Sequence, residues 1–241
     1  MNGIQELDSG PGPRRLKVGK PYARLAKMSR ATMAGARLHR EEIAASGFRA
    51  WPVMVTLTYA DGRAWSPNHI RDFLQRVRVY LRRRGARCRF VWVAELQQRG
   101  AVHYHVLLFL PWGLKLPKVD LRGWWTAGAA NVKLARHAAA YLAKYASKAS
   151  EQAGRLLGAG ADFPPGCRIH GTGGLTRRGQ MQRRWLLAPE YVRSYWQAWR
   201  QDVARAIGGG WLSRATGEWQ PTRWLVQAFS RAAFVIQETL W

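Results

Sequence analysis

Two apolar runs separated by five residues constrain this chain most. CRFVWVAEL fills positions 88–96 and VHYHVLLFL positions 102–110, with QQRGA between them. Each reads as a strand. A three-residue loop, Gln98-Arg99-Gly100, closes such a pair as a hairpin when Gly100 takes the left-handed position of a bulge. That register sets Gln97 opposite Ala101 and Glu95 directly opposite His103. Strand side chains alternate with period two, so His105 shares their face. Val91, Val93, Leu107 and Phe109 share it too. Two imidazoles and one carboxylate therefore converge on an otherwise apolar sheet face, with paired Cβ atoms roughly 5 Å apart.

Glu95 is the only acidic residue between Asp72 and Asp120. A buried carboxylate is costly unless it is paired or binds a metal. Two His and one carboxylate can hold a divalent cation and leave positions open for substrate and water. The same three residues also suit a hydrogen-bonded Glu–His pair in a wet core, and the sequence leaves both readings open.

The flanking segments set the fold class. PVMVTLTY (52–59) alternates Val53, Val55 and Leu57 against Met54, Thr56 and Thr58, which predicts a strand. Ser66 as N-cap and Pro67 in the first turn predict a helix running to Gly85. Its inner stripe is Ile70, Phe73, Leu74, Val77 and Leu81. ANVKLA (130–135) reads as a short strand, and a helix is expected over 136–150. Strand, helix, strand, strand, strand, helix with one tight hairpin is an α+β arrangement: an antiparallel sheet with flanking helices. A basic helix over 21–47 precedes it, after a Gly/Pro-rich arm. Residues 151–185 hold eight Gly and read as a long loop region. A helix over 189–207, a hairpin turning at Thr216-Gly217 and a closing helix are expected beyond it. The organisation is 1–48, an arm and helix; 49–150, the core; and 151–241, a basic, α-rich extension.

The expected helix at 136–150 carries a second polar set. Tyr141, Lys144, Tyr145 and Lys148 follow the i, i+3, i+4, i+7 rule and form one stripe, while Ala139, Leu142, Ala143 and Ala146 form another. Two phenols thus lie with two ammonium groups. A phenol has a pKa near about 10 and needs activation to act as a nucleophile. Nearby ammonium groups favour phenolate. A solvated helix with amphipathic Tyr and Lys is the competing reading.

Charge narrows the partner. Lys and Arg number 39 against 14 Asp and Glu, a formal charge of +25. Such a surplus costs stability through self-repulsion and makes sense beside a polyanion, nucleic acid first. The longest apolar stretch, Val102 to Leu116, is too short and too polar to span a bilayer. The first residues lack an apolar secretory core, and two cysteines form neither a zinc set nor a disulfide framework. The expectation is a protein of the reducing cytoplasm with no membrane partner. Arg/Trp-rich segments at 177–185 and 191–200 are candidate nucleic-acid contacts, against a solvated basic surface with packed Trp.

Taken in order, VTLTY, then His103-Tyr104-His105 behind a Gly turn, then YLAKYASK resemble the HUH endonuclease superfamily. More narrowly, they resemble the two-tyrosine rolling-circle replication initiators of filamentous phages, microviruses and plasmids. The resemblance covers about residues 50–150. It implies an RRM-like sheet. It implies that His103 and His105, with Glu95 as acidic third ligand, bind Mg²⁺ or Mn²⁺. It implies that Tyr141 and Tyr145 attack origin DNA in turn, with Lys144 and Lys148 holding phosphate or steadying phenolate. One tyrosine would keep the 5′ end and leave a 3′-hydroxyl for a host polymerase; with no Walker motif, a host helicase is also expected. The TLTY strand places Thr56, Thr58 and Tyr59 at the DNA, and Arg99, Arg177, Arg178, Arg183 and Arg184 are further expected contacts with single-stranded origin DNA. The bacterial host cytoplasm is the implied location. A transposase or relaxase of the same superfamily, and a non-catalytic RRM-like binding protein, are the alternatives. Tyr104 departs from the family, which often has a bulky apolar residue there.

Overall fold

The computed structural model describes residues 20–61, 65–97, 100–135, 163–196 and 202–222. Helix α1 (Lys20–Ala45) comes first, then β1 (Ala50–Thr58), α2 (His69–Arg82), β2 (Arg89–Leu96), β3 (Val102–Pro111) and β4 (Ala130–Leu134). After them come β5 (His170–Gly173), α3 (Arg177–Leu187), α4 (Glu190–Trp196), β6 (Val203–Arg205), β7 (Trp211–Ser213) and β8 (Trp219–Gln220). Five strands form one sheet in the order β4-β1-β3-β2-β5, with every described pairing antiparallel. The architecture is α+β, an RRM-like antiparallel sheet with flanking helices. Among the described residues no helix is long and apolar enough to cross a membrane.

The β2–β3 hairpin closes as its sequence dictates. Gly100 has φ +79°, the left-handed conformation a side chain would resist. Its N–H donates to Gln97 O at 2.8 Å, and Gln97 N–H donates to Ala101 O at 2.9 Å. The resulting register pairs Glu95 with His103 and Val93 with His105.

The sheet has two differently used faces. On one, Val53, Val55 and Leu57 of β1 pack with Phe90, Trp92, Tyr104, Val106 and Leu108 and with the buried α2 stripe Ile70, Phe73, Leu74, Val77 and Leu81. These are the residues the helical period singles out. Truncating a fully buried member such as Leu108 to Ala removes contacts worth about 2–5 kcal/mol. On the other face α1 lies across β2 and β5. A Cβ at Gly35 would press on Thr172 and Val91, so the helix backbone approaches the sheet closely there. Ala36 packs with Met54, Val91, Leu107 and Phe109. Glu42 of α1 accepts hydrogen bonds from Arg89, Thr176 N and Thr176 Oγ1, tying α1 to β2 and to the N-terminus of α3. Burial works against ionising Glu42, but the hydrogen bonds from Thr176 and Arg89 prevail and hold its carboxyl below the usual range.

Three expectations need correction. Helix α2 begins at His69 rather than after Ser66; Ser66 Oγ accepts from Asn68 N–H at 3.3 Å, so Ser66 organises the turn that leads into the helix. The stretch expected as a loop at 151–185 contains β5 and most of α3. Its glycines are strand residues placed under aromatic rings: Gly171 pairs with Trp92 and Gly173 with Phe90, and a Cβ at either would overlap the facing ring. Composition hides this strand because glycine is needed there for close approach, not for a turn. Last, the helix expected over 189–207 does not reach 207. Val203–Arg205 is a strand pairing with β7, and β7 pairs with β8 through a turn at Gly217 (φ +78°). This small sheet packs Val203 and Trp211 with Trp185, Val192 and Trp196, so the extension is mixed rather than α-rich. The arm at 1–19, the helix expected over 136–150 and the closing helix lie outside the described residues.

The docking of β5 makes a stability prediction. Gly174 has φ +84°, and a Cβ there would overlap Cys88 O of the neighbouring backbone. Gly166 has φ +76° with open space around it. Gly174→Ala should cost about 3 kcal/mol and Gly166→Ala only about 1 kcal/mol. Urea unfolding of the two variants checks this, and equal losses would contradict the β5 placement.

Candidate metal centre

Neighbouring strands place the three ligand types on one face. Across the sheet, Thr56 of β1 pairs with His105 of β3, which pairs with Val93 of β2, which pairs with His170 of β5. One step along, Thr58 pairs with His103 and His103 with Glu95. Glu95, His103 and His105 each offer a ligand atom, and these atoms lie within 4.8 Å of one another. The ring centroids of the two histidines are 6.0 Å apart, nearly perpendicular at 83°. His105 is buried, whereas Glu95 and His103 are half-buried.

Both nitrogens of His105 are engaged. Nε2 lies 2.8 Å from Glu95 Oε2, and Nδ1 lies 3.4 Å from Thr56 Oγ1. A hydroxyl at Nδ1 is the partner that fixes ring orientation when Nε2 is the ligand atom. The donor set itself passes the test of fit: two imidazole nitrogens and a carboxylate oxygen are the groups that Mg²⁺ and Mn²⁺ sites and related divalent centres use. The identity of the metal is not fixed by them.

The β5 side of the cluster is cationic. His170 is pushed down to about 4, by burial first and then by Arg183, Arg168, Lys27 and Arg24. It is therefore neutral at pH 7 and ringed by positive side chains. Sequence reading missed this group. The alternation Ile169-in, His170-out was its only signal, and the glycines that follow obscured it.

The other expected site residues divide three ways. Thr56 and Thr58 lie on the cluster face, so they sit at the site. Tyr59 does not: it is fully buried with the opposite core, its hydroxyl 3.1 Å from His69 Nδ1, and burial pushes it up to about 12. Direct DNA contact by Tyr59 is thereby corrected to a core role, because the strand's alternation turns it to the α2 side. Arg177 and Arg178 are at the start of α3, half-buried to exposed. Arg183 is half-buried beside His170, and Arg184 is paired with Asp202 at 2.5 Å, which makes Arg184 a tie between α3 and β6 rather than an open contact. Arg99, Tyr141, Lys144, Tyr145 and Lys148 lie outside the described residues. Tyr104 is explained: it points into the α2-side core, where its hydroxyl accepts from Trp65 Nε1 at 2.9 Å.

Below the cluster α1 carries a second buried imidazole. His39 stacks near Phe109 at 5.2 Å and is lowered from 6.5 to about 4, by burial and then by the Arg89 charge. The unfolded chain thus binds more protons than the folded one between these values. Stability is complete above about pH 6.5 and falls as pH drops toward about 4, by up to about 3 kcal/mol from His39. Denaturant unfolding at pH 7.5 and 4.5 should show this slope, reduced in His39→Phe. An unchanged slope in that variant would assign the acid sensitivity elsewhere.

A family model of replication-associated proteins, of the ORF2 type, matches residues 52–150. The matched segment begins in β1, contains the whole β2–β3 hairpin with Glu95, His103 and His105, and continues beyond β4. The strands that build the site thus lie in a segment similar to replication-associated proteins. No curated protein and no solved structure matches the chain.

Proposed function

We propose that the protein is a replication initiator that nicks single-stranded origin DNA through a tyrosine, with a divalent metal at Glu95, His103 and His105, and later rejoins the strand. One observation carries this: the segment similar to replication-associated proteins is the one that brings these three side chains together. When bound, Mg²⁺ or Mn²⁺ would polarise the scissile phosphodiester. Thr56 orients His105 through Nδ1, and Glu95 balances the positive charge of the site. Lys144 and Lys148, at the helical spacing from Tyr141 and Tyr145, favour the phenolate form. The phenolate oxygen bonds to phosphorus, the bond from phosphorus to the 3′-oxygen breaks, and that oxygen takes up a proton. The products are a 5′-phosphotyrosine and a free 3′-hydroxyl, the end a host polymerase extends while a host helicase opens the duplex. Attack by a 3′-hydroxyl on the phosphotyrosine runs the step backwards and reseals the strand. The second tyrosine cuts again while the first still holds its end.

A binding-only RRM-like module reads bases with aromatic side chains on its central strands. The cluster end of this sheet face carries Thr56, Thr58, Glu95, His103 and His105 instead, which favours chemistry. The test is the state of the DNA ends after incubation of single-stranded DNA from the protein's own replicon with Mn²⁺. The expected result is an extendable 3′-hydroxyl with a 5′ end blocked by protein. Two free ends would make the protein a metallohydrolase, and uncut but bound DNA would make it a binding module.

A further inference from the structure

Helix α2 turns its apolar stripe to the sheet and a strongly basic face outward. From Arg71 to Arg87 the sequence holds seven arginines and one acid, Asp72. The loop after β3 runs beside this face, and the two enclose an open groove of about 650 Å³. Arg76, Arg83, Arg84, Lys115 and Arg122 line it with Tyr80 and Trp124, and its described lining includes no carboxylate.

The groove is built, not accidental. Tyr80 Oη donates to Lys115 O and Arg76 Nη1 to Trp124 O, both at 2.9 Å, which joins helix to loop. The Tyr80 and Trp124 rings meet edge to face at 5.2 Å. The Arg84 guanidinium lies 3.7 Å from the centroid of the Tyr80 ring. Arg76 and Arg84 thus shape an aromatic floor, while Arg83, Lys115 and Arg122 are exposed around it. Gathering five cations without a counter-charge is unfavourable in the free protein and becomes favourable against a polyanion.

The groove lies on the opposite side of the sheet from the metal cluster, because α2 packs on the Tyr104 face and His103 and His105 occupy the other. A short path joins the two. Trp125, next to Trp124, donates its Nε1–H to Thr58 O at 3.0 Å, and Thr58 pairs with His103.

We propose that this groove grips the phosphate backbone of nucleic acid flanking the strand held at the cluster, passing around the β1 end of the sheet. The proposal rests on the nucleic-acid reading above but not on metal chemistry. Its contacts are to phosphates, so it adds affinity without sequence preference.

The test is binding of labelled random-sequence DNA, single-stranded and duplex, in EDTA across a salt series. The protein is compared with a triple variant, Arg83→Ala, Lys115→Ala and Arg122→Ala. A charge-matched control carries Arg30→Ala, Arg37→Ala and Arg40→Ala on α1. The groove variant should lose about tenfold or more in affinity, and the slope of log K against log salt should become shallower by about two to three. The control should lose less, and Arg83→Lys with Arg122→Lys should keep the slope. A groove variant with unchanged slope, or a loss equal to the control's, overturns the proposal. So does intact DNA binding with lost binding to polyglutamate, which would assign the groove to an acidic protein segment. A failure of the nicking reading looks different: DNA is bound with the full salt slope but never cut.

Discussion

Replacing His105 with alanine is expected to lower Mn²⁺ affinity at least about a hundredfold and to remove metal-dependent cleavage with it. His105 is the ligand most firmly placed by the fold. It is buried on the central strand β3, with Glu95 at one nitrogen and Thr56 at the other. Loss of an outer-shell partner alone commonly costs ten- to hundredfold in metal affinity, about 1.4 to 2.8 kcal/mol. Loss of the ligand itself should exceed that. Thr56→Val removes only the hydroxyl at Nδ1 and should fall in the ten- to hundredfold range. Tyr104→Phe lies between the two histidines in sequence but on the other face of the sheet. It loses the hydroxyl that Trp65 donates to, costing about 1 kcal/mol of stability, and should leave metal affinity unchanged. Titration of Mn²⁺ followed by its electron paramagnetic resonance signal separates the three. Wild-type affinity in His105→Ala would remove the cluster from the account.

Converting both Tyr141 and Tyr145 to phenylalanine is expected to abolish every covalent protein–DNA product while leaving metal and DNA binding in place. The change deletes two oxygen atoms and no charge at neutral pH, since a phenol near its ordinary pKa of about 10 is protonated there. Phenylalanine keeps the ring, so packing is little disturbed. Each single variant retains one nucleophile four residues from the lost one, on the same helical stripe. Single variants should therefore still cut once, but fail at transfer of the joined end to a second cut. A double variant that cleaves as fast as wild type would assign the attack to water.

The parts of this molecule written in local pattern are legible in the sequence alone. The QQRGA turn predicts the β2–β3 register, and the register alone places Glu95 opposite His103. The α2 stripe is likewise plain, because a period of 3.6 with five large apolar residues leaves one way to bury them. What stayed hidden depends on distant partners. β5 reads as loop because Gly171 and Gly173 are chosen by the rings of Trp92 and Phe90, about eighty residues away in sequence. His170 and the cations around it could not be joined to the site until that strand was docked. Tyr59 failed for another reason: one residue past the strand, alternation still governs its direction and takes it into the core. The strand at Val203–Arg205 sits in a segment with helical composition and exists because β7 supplies its hydrogen bonds.

Denaturing electrophoresis of labelled single-stranded origin DNA, after incubation with Mn²⁺, tests the central claim most directly. With wild-type protein the label should move with the polypeptide, and the signal should vanish in His105→Ala, in the Tyr141→Phe/Tyr145→Phe double variant and in EDTA. Label on the double variant, or cut DNA with no label on the wild-type chain, would contradict the assignment of these residues to a metal-assisted tyrosine nick.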